Sequence, residues 1–451
     1  MDIIRTVSTA LQEQLGDELD GLARECGVVQ REREFTGRTL LLMIVATLLH
    51  KPDATWADFH LTAAQLGLEV TRTAVEKRFA AGQPLVDFFQ KALGLALKKS
   101  VAAAPSSAGL LQEFTAVLIG DATTIALPDE LANLFPGCGG VEGTSRAALK
   151  LQVLWDLKTG EIVRLRVESG RSSDARSPIA VTEAAPGSLL VYDLGYFDLS
   201  RFAALDRAKA KYISRLQHGT EVYGSEGVKL DLAAHLGGQS SSLVDTAVLL
   251  GVSDRLPCRL VAVRVPEEVA NRRRQQAREK ARKKGPGRVP SAGYLALLAW
   301  SLFVTNCVAE DLTWKAVVVL YRARWQIELL FKLWKSDNRL ARHRAGASAP
   351  EVLAVFYAKL LGVVLQHWVL LATAGPDPSR SLRRAVRVLR EALKGLLLAL
   401  GTQAGLEGEL RRLGELVGKL ARTSKRGKRP SHAQLIDDPD LLDWLPQVAI
   451  G

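Results

Sequence analysis

The sequence predicts a mixed α/β core, interrupted by an insertion and flanked by helical regions at both ends. Three observations carry that expectation. Apolar runs of strand length alternate with helical stretches over 113–217, the order that builds one α/β domain. Over 218–297 this order gives way to short strand-like segments and a basic run, and a core pattern returns near Trp300. Residues before about 105 and after about 345 carry helical periodicity instead.

Through residue 98 the chain reads as helices. FTGRTLLLMIVATLLH has helix-like apolar density, and Thr62 to Ala80 holds two short helical patterns meeting around Gly67 and Leu68. The second, TRTAVEKRFA, begins at a Thr71 cap and carries Arg72, Lys77 and Arg78. It fits a helix-turn-helix-like DNA-binding unit, and equally an ordinary amphipathic helix with solvated charges. KKSVAAAPSSAGLL then loses periodicity and reads as a linker.

In the core, TAVLIGDATTI reads as a short strand ending at Asp121. AALKLQVLWDL and EIVRLRVESG form an expected hairpin turning at Lys-Thr-Gly. SPIAVTEAA is expected to be helical, SLLVYDLGYF a strand ending at Asp193, SRFAALDRAKA a helix and KYISRLQ a strand. In the insertion, VKLDLAAHL, DTAVLLGV and CRLVAVRVP read as short strands before NRRRQQAREKARKKGPGR. AWSLFVTN then resumes the core as a strand, and TWKAVVVLYRARWQIELLFKLWKS reads as one long helix. Beyond 336 the chain is expected to be helical, broken at AGPDPS. The region 378–430 carries 14 Lys and Arg against 4 Asp and Glu. The expected division is 1–105, 113–217, 218–297, 298–345 and 346–451.

At 451 residues, the chain is long enough for two to four domains. Hydrophobic content of 47% and charged content of 24% are ordinary for a soluble globular protein. The 60 Lys and Arg against 48 Asp and Glu give a formal charge of +12, which favours polyanionic partners without distinguishing among them. Cys26, Cys138, Cys258 and Cys307 are far apart in sequence, so neither a zinc site nor a disulfide framework is expected, and a reducing cytosol is the natural compartment. The acidic N-terminal stretch does not read as a signal peptide. The most apolar stretch, Val352 to Thr373, contains Lys359, Gln366 and His367, so it reads as a buried or oligomer-facing helix and no membrane partner is expected.

The chemistry concentrates on the long helix. Tyr321, Arg324, Glu328 and Lys335 are offset by 3, 7 and 14 residues, which places them within about 60° of one another on a continuous helix. Glu328 joins Asp121 and Asp193, whose places at strand ends put them on one rim of an α/β sheet. Three such oxygen donors suit two hard divalent cations in phosphodiester chemistry. Taken singly, a strand-terminal Asp is an ordinary turn former and a helical Glu between cations an ordinary solvated pair. The order strand-Asp, strand-Asp, helix-Glu is the specific feature.

With these residues the chain resembles the DDE transposases of bacterial insertion sequences, in the insertion-sequence-4-type group with the Tyr-Arg-Glu-Lys signature. The likeness covers Asp121-Ala-Thr, Asp193-Leu-Gly-Tyr-Phe, the spacing of Tyr321, Arg324, Glu328 and Lys335, and the surrounding LALLAWSLFVTN and RWQIELLFKLWKS. It implies an RNase H-like core with a β-rich insertion, and two Mg²⁺ or Mn²⁺ ions held by Asp121, Asp193 and Glu328. The implied chemistry is hydrolysis at transposon inverted-repeat ends and attack of the freed 3′-OH on target DNA, often through a hairpin. No covalent protein intermediate is expected.

The resemblance also implies roles on double-stranded DNA. Arg324 would fork onto a phosphate, Lys335 would neutralise one, and Tyr321 would donate its hydroxyl near the terminal nucleotide. Trp300 is the candidate to stack on a flipped base, or else a core tryptophan. Arg272, Arg273 and Arg274, with the basic residues that follow, form a DNA-backbone clamp or a solvated helix. Lys150 stands beside a strand where it could reach phosphate. Joining two ends implies a homodimer on DNA, acting in the cytoplasm at the nucleoid. A catalytically silent DNA-binding protein or repressor would share the basic charge but gains nothing from three carboxylates near a phosphate. A structure-specific nuclease would need the same metals and differ in lacking strand transfer.

Overall fold

In the computed structural model, residues 2–31, 34–139, 146–177, 179, 184–285, 287–375, 380–422 and 430–444 are described. Six helices open the chain: α1 (Ile3–Gln14), α2 (Glu18–Glu25), α3 (Gly37–His50), α4 (Trp56–Gln65), α5 (Arg72–Phe79) and α6 (Gln83–Leu97). Their starts follow from side-chain caps. Asp2 accepts from the Ile4 N–H, Thr71 accepts from the Ala74 N–H, and Thr36 with Thr39 forms a capping box. Trp56, Phe59 and Phe79 form an aromatic cluster joining α4 to α5, with ring centroids 4.8–6.0 Å apart.

After the short α7 (Gly109–Gln112), the core is one nine-stranded sheet. Its strands are β1 (Val117–Leu127), β2 (Ala147–Asp156), β3 (Ile162–Ser169), β4 (Leu189–Tyr192), β5 (Lys211–Arg215), β6 (Val222–Gly224), β7 (Leu243–Leu250), β8 (Leu256–Arg264) and β9 (Trp300–Thr305). Their order across the sheet is β3-β2-β1-β4-β5-β9-β8-β7-β6. β1, β4 and β5 run parallel, while the hairpin β2–β3 and the strands from β9 outward pair antiparallel. Gly160, at φ +74°, makes the β2–β3 turn. The segment 218–297 therefore extends the core sheet through β9. It also contains α9 (Leu232–Gly237), where VKLDLAAHL reads as a strand in sequence. Asp231 caps that helix by accepting from the Ala234 N–H, a local bond that outweighs the apolar run. Most of the helix expected over 177–185 lies outside the described residues.

Strand alternation sends neighbours to opposite cores. Leu118, Leu190 and Tyr212 enter one cluster with α8 (Leu199–Arg207), and Ile119, Val191 and Ile213 enter the other with the helical regions. The insertion adds α10 (Glu267–Lys283) and α11 (Ala292–Leu297). The long helix expected after β9 is instead α12 (Trp314–Ala323), α13 (Trp325–Lys332) and a π-helical turn over Leu333–Asp337.

The C-terminal part holds α14 (Ala349–Thr373), α15 (Leu382–Glu391), α16 (Leu393–Ala399), α17 (Gln403–Leu420) and α18 (His432–Asp437). By length and composition α14 could cross a membrane, yet 94% of its apolar window is buried, against α1, α3, α6, α15 and α17. Its polar residues find internal partners. Lys359 donates to the Arg339 and Arg342 carbonyls at 3.0 and 2.7 Å, His367 contacts the Gly160 carbonyl at 2.7 Å, and Gln366 accepts from Asn338 at 2.9 Å. Burial brings the Lys359 ammonium down to about 7, reinforced by Arg339 and Arg342.

Beside the Tyr192 ring, a Cβ on Gly120 would sit 2.9 Å from the ring Cε1. Tyr192 is fully buried and has no room to yield. Gly120→Ala is therefore expected to cost about 1–3 kcal/mol in chemical denaturation. An unchanged midpoint would contradict this packing.

Candidate active site

Parallel pairing of β1 with β4 matches Gly120 to Tyr192, so Asp121 and Asp193 follow side by side on neighbouring strands. Asp193 stands just past the end of β4, where the sequence places it. Asp121 does not end its strand: β1 runs on through Ala-Thr-Thr-Ile-Ala-Leu, paired to β2 as far as Leu127. Those extra residues give the helix an anchor. Lys335 donates to Thr123 Oγ1 at 2.9 Å and to the Thr124 carbonyl at 3.4 Å.

The helix that crosses this rim is interrupted at Arg324, whose backbone stays right-handed helical at φ −51° and ψ −31°. The Arg324 N–H bonds back to the Tyr321 carbonyl and the Ile327 N–H to the Arg324 carbonyl, both at 3.2 Å, three-residue bonds that interrupt the α-helical ladder. No proline or glycine stands there. The break falls at the residue whose side chain is drawn inward between acids. A π-helical turn then carries Lys335. The four polar residues thus share one rim on two helices and a π turn, not on one continuous helix.

Arg324 is the hub of the site. Its Nη1 meets Asp121 Oδ2 at 2.9 Å, its Nη2 meets Glu328 Oε1 at 2.7 Å, and its Nε lies 3.8 Å from Asp193 Oδ1. The Nε is buried and makes no hydrogen bond. Burial alone would lower the Arg324 pKa, but Asp193, Asp121, Tyr321 and Glu328 outweigh it and hold the guanidinium above its ordinary range. The Asp121 pKa rises as well, which for an acid disfavours the charged form. Burial pushes its carboxyl up to about 6, against the pull of Arg324 and the Ala122 N–H, and Asp193 and Glu328 push it further. The cation is thus favoured and the Asp121 anion disfavoured, because one guanidinium is shared by three acids.

Tyr321 places its hydroxyl 3.4 Å from Asp193 Oδ1, and its ring meets Phe303 edge-on with centroids 5.1 Å apart. Burial foremost pushes the phenol up to about 12. Asp121, Asp193, Arg324, Glu328 and Lys335 line one cleft of about 400 Å³. A smaller cavity of about 90 Å³ lies away from it, walled almost wholly by leucines and valines of α1, α3 and α14–α17, and offers no acids for this chemistry.

The donor set fits a hard divalent cation, since it consists of carboxylate oxygens gathered around one positive group. Among the described residues, no three His, Cys, Asp or Glu side chains stand close enough together to hold a metal as placed. The guanidinium occupies the space between the acids, so their spacing reflects an arginine.

Other candidate residues fall outside the cleft. Trp300 is 4% exposed, with the Arg264 guanidinium 4.6 Å from its ring centroid, so it is a core tryptophan in no position to stack on a base. Arg273 is tied down by donating to the Trp300 carbonyl at 3.1 Å and Ser301 Oγ at 3.1 Å, and Arg274 donates to the Leu295 carbonyl and to Glu267. Arg272, Arg278, Lys280, Arg282, Lys283, Lys284 and Arg288 are exposed. In α5, Arg72 pairs with Glu76 and Lys77 is exposed, whereas Arg78 packs over Phe35 and donates to the Val28 carbonyl. Lys150 is held by Asp174 at 3.0 Å and by the Ser172 carbonyl. The sequence reading missed Trp325, 58% exposed directly after Arg324. Its only signal was adjacency to the polar line, which helical periodicity assigns to a different face.

Comparison with known proteins adds independent findings. Residues 112–359 match the family described as the transposase DDE domain. The chain is 28% identical over 342 residues, 70% of either chain, to the transposase for insertion sequence element IS231E of Bacillus thuringiensis subsp. finitimus. It is 29% identical over 372 residues to the transposase for IS231C of Bacillus thuringiensis subsp. berliner, covering 77% of this chain and 76% of that one. It is 24% identical over 397 residues to the transposase for IS1151 of Clostridium perfringens, covering 82% and 81%.

The Asp121 carboxyl has a pH consequence. Its folded pKa of about 6 lies above the ordinary carboxylate value. Its contribution to stability is therefore fully present below about pH 4 and lost as pH rises through about 6, a decline of up to about 3 kcal/mol. Denaturation of the metal-free protein across pH 4 to 7 should show this slope, and Asp121→Asn should lack it. Equal slopes in both proteins would contradict the assignment.

Proposed function

Because the chain belongs to the transposase DDE domain family, we propose that it is a DNA transposase whose catalytic carboxylates are Asp121, Asp193 and Glu328. The observation that carries this reading is the convergence of these three acids, from two strands and a helix, on one cationic centre in a cleft. The family implies an RNase H-like fold and dependence on a divalent metal. The finer assignment is to the group with the Tyr321, Arg324, Glu328 and Lys335 signature, using two Mg²⁺ or Mn²⁺ ions.

The three carboxylates would hold the ions. When bound, two such ions activate the attacking oxygen and stabilise the leaving oxygen of the phosphodiester. The substrate is double-stranded DNA at transposon inverted-repeat ends, and the freed 3′-OH then attacks target DNA. The attacking groups are water and DNA hydroxyls, so no side chain is asked to form a covalent intermediate. Lys335, fixed on Thr123, sets a positive charge two residues along β1 from Asp121, where a phosphate oxygen would lie. Tyr321 orients Asp193 through its hydroxyl. Trp325 replaces Trp300 as the aromatic available to stack on an unpaired terminal base, which would support a hairpin route.

The surrounding regions take supporting roles. Residues 1–105 would contact DNA through exposed groups such as Arg72 and Lys77, and 218–297 would lay the exposed face of α10 along the backbone, starting from Arg272. Residues 113–217 and 298–345 form the catalytic core, and the helices of 346–451 would provide a homodimer surface. The protein would act in the cytoplasm on nucleoid DNA. A silent DNA-binding protein is disfavoured, because three acids beside a phosphate site only weaken binding.

Cleavage of a supercoiled plasmid carrying the cognate inverted repeats, with Mg²⁺, tests the active site. Asp121→Ala, Asp193→Ala and Glu328→Ala are each expected to lose roughly 10³-fold or more in rate while still binding the ends. Wild-type cleavage by Asp121→Ala would refute the assignment. Pre-cleaved ends should give strand-transfer products, whose absence would favour a nuclease. For the clamp, Arg278→Ala and Arg282→Ala should each lower the salt slope of DNA binding by about one, uniformly across sequences. An unchanged slope would remove α10 from the interface.

A further inference from the structure

Arg324 faces more acid than one arginine ordinarily takes. A guanidinium typically forks onto a single carboxylate through two parallel bonds. Here each of three nitrogens faces a different carboxylate, and the third contact, at 3.8 Å, is too long to be a hydrogen bond. With all three acids ionised, one positive charge leaves the cluster two charges short of neutrality. Like charges gathered this closely need a cation between them, the more so for Asp121, whose side chain is 14% exposed against 33% for Glu328 and 44% for Asp193, and Arg324 supplies an incomplete one.

Two features make that hold reversible. Arg324 stands at the joint between α12 and α13, outside a continuous α-helical ladder, so its backbone can adjust without breaking either helix. Arg324 also lines the cleft of about 400 Å³, together with Lys332, Lys335 and Ser336, which leaves room for a displaced guanidinium and a phosphate.

We propose that Arg324 is a displaceable counter-ion: it holds Asp121, Asp193 and Glu328 together before divalent cations enter, is exchanged for them, and then takes a DNA phosphate. This rests on the reading of the three acids as metal ligands. The exchange makes and breaks no covalent bond. Three carboxylate–guanidinium contacts are traded for carboxylate–metal bonds, and the released guanidinium keeps its proton and its charge. Phosphate and carboxylates thus compete for the same side chain, which ties the grip on DNA to the arrival of metal.

The test is Mn²⁺ binding to the full chain without DNA, measured by calorimetry on wild type, Arg324→Ala, Arg324→Lys and Asp121→Ala. Arg324→Ala should bind Mn²⁺ roughly tenfold or more tightly than wild type, the scale of one charge interaction at a partly exposed site. It should also melt at lower temperature without metal and recover with it. Arg324→Lys, which keeps the charge but loses the three-way fork, should bind with intermediate affinity, and it carries the test if the alanine variant does not fold. Equal or weaker Mn²⁺ binding by both variants, with Asp121→Ala binding none, would overturn the exchange and leave the metal site standing. Binding that Asp121→Ala does not change would overturn the metal site and the exchange with it.

Discussion

Three carboxylates gathered at the rim of a sheet repel one another, and the guanidinium of Arg324 makes their convergence tolerable. The constraint reaches well beyond the contact. The helix is interrupted at this same arginine without proline or glycine, and Glu328 stands one turn further on, facing the same guanidinium. A π turn then brings Lys335 down onto Thr123. Even so, Asp121 remains costly to ionise, since burial outweighs its share of one cation. Of the cations in the cleft, only Arg324 touches the acids, while Lys335 is held on Thr123.

The rest of the fold makes this rim rigid. Cores on both faces of the sheet pin β1 and β4, and the buried α14 braces the sheet through His367 on the Gly160 turn and the segment after Lys335 through Lys359. A 25-residue apolar helix with Lys, Gln and His inside it makes sense only when each polar group has an internal partner, as these do. Insertion strands extend the same sheet, so Trp300 and Arg273 serve to fasten α10 to it.

Much of this was legible. An apolar run stopping at Asp193 gives a strand end, the Lys-Thr-Gly turn gives the β2–β3 hairpin, and the order of acids gives the cluster. What stayed hidden depended on distant contacts. Asp121 lies mid-strand because Ala-Thr-Thr-Ile-Ala-Leu pairs with β2, and a Thr-rich run after an Asp reads alone as a turn. The break at Arg324 has no local breaker, and the Asp121 partner of its side chain lies 203 residues away. Trp300 and Trp325 are indistinguishable by composition, and only burial separates a core indole from an exposed one. Among the basic residues, periodicity does not reveal that Arg78 and Arg273 spend their donors on backbone carbonyls.

The most direct measurement is anomalous diffraction from Mn²⁺ in crystals of the full chain bound to transposon-end DNA. The account predicts manganese peaks within about 2.0–2.3 Å of oxygens from Asp121, Asp193 and Glu328, with the Arg324 guanidinium turned onto a phosphate. Manganese bound elsewhere, with Arg324 still seated between the three carboxylates, would contradict it.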